Sequence, residues 1–411
     1  MTVGSAAAAV DRCRQTIASH EPHVRAWVHL QEHAVTDRRV RELDAAPDGP
    51  LTGRTVGLKD LIDTATMPTG YGSPIHRDHR PAADAAVVGL IERAGGCVLG
   101  KTVTTEFALM TPGPTVNPQR AGHTPGGSSS GSAAAVAAGM ADVGIGTQTY
   151  GSMIRPGAYC GVWAFTPSFG TVSMAGIRPL APSFDKIGWF TRSLDELETV
   201  HEALTGERRT ADPVMPSVGI LALADVDGLT PEVQAIEPML HDRFGDRTEV
   251  RQVRLQSQLT EVIGLHHIVA SWEIAQSLRS EYEEHPDLLS APVRAFIESG
   301  RAVSQDQRAA AAAELATIGQ EVLRVFDTVD VVITPATVGE APRGLGYTGD
   351  PMFCTPWTAL GCPAMAVPGL RGATGLPLGL QVVAAPGRDR RALDAARALR
   401  FENLSGPPVV R

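Results

Sequence analysis

Lysine is almost missing from this chain. Of 36 Lys+Arg among 411 residues, only Lys59, Lys101 and Lys186 are lysines. Arginine keeps its proton inside a protein, whereas a desolvated lysine can lose it. These three positions therefore form a short list for any task that needs a neutral amine. A GC-rich codon bias would leave the same few lysines by chance, so both readings stand at this point.

Other absences narrow the field. Cysteine is sparse and odd in number: Cys13, Cys97, Cys160, Cys354 and Cys362, widely spaced, with no C-x-x-C. A large chain without a disulfide framework reads as a resident of the reducing cytoplasm. No apolar run is long enough to span a bilayer. Met1 to Val10 lacks a basic n-region and a long h-region, so it reads as the lead-in to a helix and not as a signal peptide. Basic residues are outnumbered, 36 against 45 acidic, giving a net charge of -9. That balance argues against nucleic acid as a partner, since phosphate binding needs clustered Lys and Arg. H-E-x-x-H and other metal-ligand spacings are missing, so no metal is expected. His266-His267 lies in an apolar helical context and reads as packing or surface histidine.

What remains is 43% hydrophobic, enough for a large core. Helices are expected at 5–20, 31–44, 82–94, 132–138 and 389–400, with a mostly helical stretch at 258–326 and a helix capped by Thr230 and opened by Pro231. Strands are expected at 24–30, 56–59, 97–100, 143–145, 218–223, 331–334, 364–367 and 378–383. Helices and strands alternate, with no Pro-rich linker and no repeat, so the reading is a layered α/β fold in one domain. Between Gly122 and Gly176 the chain is rich in Gly, Ser, Ala and Thr and poor in charge. Such a stretch suits close backbone packing, or backbone amides turned to a ligand.

Three motifs point elsewhere. Gly95–Thr102 fits G-x-x-x-x-G-K-T, a nucleotide-binding pattern, but a helix precedes it and Cys97-Val98-Leu99 is apolar and strand-like. Gly127–Gly131 fits G-x-S-x-G, but a turn feeds it where that elbow needs a strand; with twelve histidines present, a Ser-His-Asp esterase stays open. Ser183–Lys186 fits S-x-x-K without that motif's companions.

Two segments carry a more specific signal. They are Gly126-Gly127-Ser128-Ser129-Ser130-Gly131-Ser132-Ala133-Ala134-Ala135-Val136-Ala137 and Gly146-Thr147-Gln148-Thr149-Tyr150-Gly151-Ser152-Met153-Ile154-Arg155-Pro156. With Gly57-Leu58-Lys59-Asp60, the 185–192 segment and Gly375–Gln381, they resemble the amidase signature family from about Trp27 to about Leu399. The resemblance implies a single large α/β domain over 1–411, with a mixed central sheet covered by helices on both faces. Its signature region would span about 55–195, with a helical insertion at about 258–326. It implies Ser152 as nucleophile, Ser128 as bridging serine with a cis Gly127–Ser128 peptide, and Lys59 as base. It implies no cofactor. An oxyanion hole would come from backbone N–H groups of Thr149, Tyr150, Gly151 and Ser152, with Ser129 and Thr149 steadying Lys59 and Ser128.

The residues agree with that chemistry. A serine hydroxyl needs a base, and no histidine lies in these motifs. A lysine can serve if burial lowers its pKa from about 10.4 towards about 7.5. Val56, Leu58, Leu61 and Ile62 offer a dry wall, and strand alternation turns Asp60 away from the amine.

The chain departs from the common family pattern at Tyr150, where glycine is frequent, at Gln148, where Asp is frequent, and at Arg155, which follows the nucleophile by three positions. This arrangement resembles the malonamidase branch, which implies that Arg155 binds a substrate carboxylate. The other reading pairs Arg155 with an internal acid such as Asp185. Tyr150 would narrow the site or stack on substrate, and Trp357 would be a pocket wall or plain core. The expected function is hydrolysis of a small carboxamide, for instance malonamate, with release of ammonia or an amine. Alternatives are the ammonia-generating subunit of an amidotransferase, a nucleotide-binding protein using Gly95–Thr102, and a binding protein on an inactive scaffold. The expected partner is a small amide, with neither nucleic acid nor membrane, and a homodimer would form through 258–326.

Overall fold

The computed structural model describes residues 5–224 and 226–401. The two ends of the expected 1–411 domain, including Met1–Gly4, lie outside the described residues. Strands buried on both faces dominate the centre, and such strands read as unbroken apolar or small-residue runs without alternation. In chain order the first six strands are β1 (Trp27–Leu30), which is partly exposed, β2 (Thr55–Lys59), β3 (Cys97–Thr102), β4 (Val143–Gln148), β5 (Trp163–Thr166) and β6 (Lys186–Thr191). The second half adds β7 (Val218–Leu221), β8 (Val250–Val253), β9 (Val331–Pro335), β10 (Ala364–Arg371) and β11 (Pro377–Val383). Together they form an 11-stranded sheet in the order β1-β3-β2-β4-β6-β5-β10-β11-β9-β7-β8.

The sheet is mixed. β2 runs parallel to β3 and β4, β4 meets β6 antiparallel, and β10 is antiparallel to β5 and β11. Helices flank it, giving a single-domain α/β fold. The sequence reading misses β5, β6 and β8. β5 and β8 have only four residues each, and β6 opens on Lys186, a polar start for a fully buried strand. Lys186 Nζ is held inside by the Cys362 carbonyl at 2.6 Å. That contact leaves the S-x-x-K match without a role, since Ser183 bonds Glu273 instead.

The expected helical region is present as Gln256–Ser277, Arg279–Glu284, Ala291–Arg301 and Gln305–Leu323. The last starts with a reciprocal Ser304–Gln307 capping box, which satisfies two otherwise orphaned backbone donors. No helix among the described residues is long and apolar enough to cross a membrane.

The nucleotide-binding pattern dissolves in the fold. Cys97–Thr102 is β3, not a loop, and Lys101 points inward to Ile62 O at 2.5 Å and Thr69 Oγ1 at 2.6 Å. Asp60 Oδ1 sits 3.5 Å from the same amine. A lysine so enclosed has no reach to a phosphate.

The small residues of the signature allow close approach. Helix Ser130–Ala137 is buried from Ser130 to Val136, and Ser132 Oγ contacts Thr102 Oγ1 at 2.7 Å and Ile145 O at 2.9 Å. A Cβ at Gly131 would lie 2.3 Å from both Ala26 O and Val103 N. Gly131→Ala should therefore lower stability by about 2–3 kcal/mol or more through backbone displacement. Urea unfolding checks this; an unchanged midpoint would refute the tight-packing argument.

Candidate active site

β2 and β4 lie side by side, with Leu58 opposite Ile145. Lys59 closes β2, and Thr147 and Gln148 close β4. After β4 the chain turns through 149–152 into helix Ile154–Cys160. The Gly126–Ser129 segment, entering helix Ser130–Ala137, reaches the same strand ends. The Gly127–Ser128 peptide is cis.

Lys59 is fully buried. Its Nζ lies 2.7 Å from Ser128 Oγ, 2.8 Å from Thr147 Oγ1 and 3.5 Å from Thr147 O. Burial drives its pKa well below the usual lysine range, while the Asp185 charge pulls the other way. Asp60, as strand alternation requires, turns to Lys101 and not to Lys59. The nearby acid is instead Asp185, whose own pKa burial raises to about 6 against hydrogen bonds from the Thr149 hydroxyl and the Leu180 and Ala181 amides. A neutral amine has two N–H donors and one lone pair. Thr147 offers two acceptors, which leaves the lone pair for the proton of Ser128.

Ser129 and Thr149 stand one step further from the amine than expected. Ser129 Oγ donates to Thr147 O at 3.2 Å and so braces the strand that holds Lys59. Thr149 Oγ1 donates to Asp185 at 2.6 Å. Thr147 itself escaped the sequence reading. Its signal is the β2–β4 register, which is not visible in one sequence.

Ser152 is buried, and no hydrogen bond joins its Oγ to Ser128 Oγ among the described residues. Hydroxyls that tighten only when substrate arrives are common in unliganded sites. The turn around Ser152 is firmly held. Gln148 Oε1 accepts from the N–H groups of Met153 at 2.8 Å and Ile154 at 3.1 Å. The four carbonyls of 149–152 are all engaged: by His266 Nε2 at 3.0 Å, Thr358 Oγ1 at 2.7 Å, Arg155 N at 3.1 Å and Ser129 N at 3.4 Å, in that order. The N–H groups of Tyr150, Gly151 and Ser152 donate to nothing among the described residues. Such free amides beside a serine can hold an oxyanion.

One expected substrate contact, Trp357, needs correction, and so does the alternative partner of Arg155. Arg155 does not pair with Asp185; its Nη2 donates to Gly127 O at 2.7 Å and Thr348 Oγ1 at 3.3 Å. Its Nε and Nη1 are buried without a partner among the described residues. Trp357 is wholly buried in helix Thr355–Ala359, with its ring 6.2 Å from that of Phe326, so it is core and not a pocket wall. Tyr150 packs its ring edge-on against His266, centroids 4.5 Å apart. His266 is thus neither surface nor ordinary filler, and nothing in its local sequence announced it.

Comparison with known proteins bears on the chain as a whole. The protein-family model described as Amidase matches residues 8–225 and 250–393. The chain is 29% identical to a glutamyl-tRNA(Gln) amidotransferase subunit of Synechococcus sp. (strain RCC307), over 94% of this chain and 92% of that protein. It is 32% identical to the protein of the same name from Halobacterium salinarum (strain ATCC 700922 / JCM 11081 / NRC-1), over 87% and 97%. Among solved structures, a crystal structure of an amidase superposes with a TM-score of 0.89 at 29% identity, covering 98% of this chain and 97% of that one.

The buried amine generates a stability prediction. In the unfolded chain Lys59 holds its proton up to about pH 10.4, whereas in the fold it releases it at lower pH. The unfolded state binds more protons in that window, so the fold gains stability as pH rises through it. Lys59→Met removes this component. The difference in unfolding free energy between variant and parent should therefore shift steadily in the parent's favour from about pH 7 to about pH 9.5. A pH-independent difference in urea unfolding would contradict a neutral Lys59.

Proposed function

The chain belongs to the amidase family and is an amide-cleaving enzyme, and from that premise we propose that it hydrolyses a small carboxamide through an acyl-enzyme on Ser152. The observation that carries this is the 2.7 Å contact between the buried Lys59 amine and Ser128 Oγ. In the proposed sequence Lys59 takes the Ser128 proton while Ser128 takes that of Ser152, whose Oγ attacks the amide carbon. The C=O π pair becomes an oxyanion held by N–H groups of Tyr150, Gly151 and Ser152. The proton returns through Ser128 to the leaving nitrogen, the C–N bond breaks, and ammonia or an amine departs. Water then opens the ester by the reverse relay.

A malonamidase-like substrate, one bearing a carboxylate, is supported by Arg155. A buried guanidinium without a carboxylate partner is costly, and its Nε and Nη1, buried with no partner among the described residues, leave donors for an anion. The curated relatives favour a second reading, in which the chain releases ammonia within a glutamyl-tRNA(Gln) amidotransferase assembly. The two readings separate on whether the chain works alone.

Two measurements test them. Ammonia release from malonamate, glutamine and acetamide by the isolated chain should fall at least about 10⁴-fold in Ser152→Ala and Lys59→Ala, the scale on which loss of a nucleophile or its base acts. Turnover that survives either change refutes the relay, and turnover seen only with added partner proteins favours the amidotransferase. Arg155→Ala should raise KM for malonamate about 10–100-fold, the worth of one charge-assisted pair, and leave acetamide within about 3-fold. Equal losses on both amides would remove the carboxylate role.

A further inference from the structure

His266 belongs to helix Gln256–Ser277, far in sequence from the Gly/Ser signature, yet it reaches the turn that carries Ser152. Its Nε2 lies 3.0 Å from the Thr149 carbonyl. Its ring is caged between Tyr150, edge-on at 4.5 Å, and Phe184 at 4.2 Å. The Thr149 carbonyl oxygen can only accept, so Nε2 carries the proton and Nδ1 the lone pair; Nδ1 is buried with no partner among the described residues. Burial favours this uncharged form, taking the pKa down to about 3.

The neighbouring peptide is held in the same manner. Thr358 Oγ1 lies 2.7 Å from the Tyr150 carbonyl and in turn accepts from Gln148 Nε2 at 2.9 Å. In a planar trans peptide the C=O of one residue and the N–H of the next point in opposite directions. Holding the Thr149 carbonyl away from the site therefore turns the Tyr150 N–H towards it. Holding the Tyr150 carbonyl does the same for the Gly151 N–H. Both N–H groups are free of other partners among the described residues.

We propose that His266 is a positioning residue that, together with Thr358, fixes the peptide planes of the Thr149–Ser152 turn so that its amides meet the developing oxyanion. The inference rests on the reading of Ser152 as nucleophile. It assigns the helical region a part in the chemistry: one side chain on its longest helix orients a donor it never shares with substrate. The His266 ring does two separable things, packing between two aromatics and donating one hydrogen bond. Substitutions can divide them. His266→Phe keeps the aromatic packing and loses the donor. His266→Gln puts an amide N–H near the position of Nε2 and keeps the donor. Thr358→Val removes the second clamp at constant volume.

The experiment uses the whole chain with p-nitrophenyl acetate as acyl donor, following nitrophenolate release and thermal unfolding. Ser152→Ala serves as the reference for site-dependent turnover. Loss of one oxyanion donor costs about 10²–10³ in kcat, and misorienting one should cost less, about 10–100-fold. His266→Phe is expected to lower kcat by that factor with KM within about 2-fold, since the interaction acts in the transition state and not on bound substrate. His266→Gln should recover at least half of the loss on a logarithmic scale. Thr358→Val should repeat the kcat-only signature, which keeps the test decisive if the Phe variant fails to fold. Wild-type kcat in a folded His266→Phe, or in Thr358→Val where the Phe variant does not fold, overturns the proposal. So does equal loss in the Phe and Gln variants at unchanged melting temperature. If Ser152→Ala turns over the ester as fast as the parent, the nucleophile reading itself fails, and the inference falls with it by a different result.

Discussion

The proposed relay needs one amine uncharged although a carboxylate lies near it, and the surrounding groups bear on that conflict. Two unit charges about 4 Å apart attract by about 4 kcal/mol at an effective dielectric of about 20. Full burial can move a lysine pKa by about 3–5 units, or about 4–7 kcal/mol. The two effects are of similar size, so distance and the state of the carboxylate decide. Asp185 makes no ion pair with Lys59 among the described residues. The Thr149 hydroxyl and the Leu180 and Ala181 amides compete for its charge. Those donors let a structural acid lie near the base without cancelling it. The adjacent Asp60 avoids the same conflict by direction alone, since it faces Lys101 on β3.

The scarcity of lysine takes on meaning here. Lys59, Lys101 and Lys186 are all buried, so the chain keeps its exposed cations as arginine and reserves lysine for enclosed positions. Yet among the described residues only Lys59 approaches a serine hydroxyl. Lys186 ends on the Cys362 carbonyl at 2.6 Å, and Lys101 on the Ile62 carbonyl and the Thr69 hydroxyl with Asp60 at 3.5 Å. Their pKa values, both lowered to about 8 by burial, show that a perturbed amine alone does not mark a base; the group it faces does.

What the sequence made legible was the class of fold and the segments that carry the proposed trio, because both are written in contiguous residue types. Lys59, Ser128 and Ser152 stand in segments whose glycines and serines suit few other purposes, and most strands show as apolar runs. What it hid was whatever depends on register or on distant chain. Thr147 meets Lys59 because Leu58 pairs with Ile145. Thr358 and His266 meet the turn from elements more than a hundred residues on. Asp185 was the alternative partner for Arg155, but Asp185 is taken by hydroxyl and amides, and Arg155 faces the Gly127 carbonyl. Trp357 looked like a wall because aromatics often line pockets, and burial made it core.

Tyr150 is the departure that most endangered the site on paper, and the structure explains why it is tolerated. Glycine is obligatory in a turn for one of two reasons: a left-handed backbone or a neighbour too close for a Cβ. Tyr150 is outside the left-handed region, so its backbone accepts any L-residue, and its ring has a place to go against His266. Gly151 next to it also lacks a positive φ, but a Cβ there would lie 2.9 Å from Cys354 Cβ and 3.1 Å from Pro351 Cβ. Gly146, on the strand that leads into the turn, is closed more tightly, with Met153 Sδ and Ser129 Oγ each 2.6 Å from a would-be Cβ. The turn can therefore do without glycine at position 150 but not at Gly151, and the strand before it cannot give up Gly146. Giving it up at position 150 adds an aromatic edge that packs against the histidine behind the turn, so the departure from glycine is accommodated by a contact that the histidine shares.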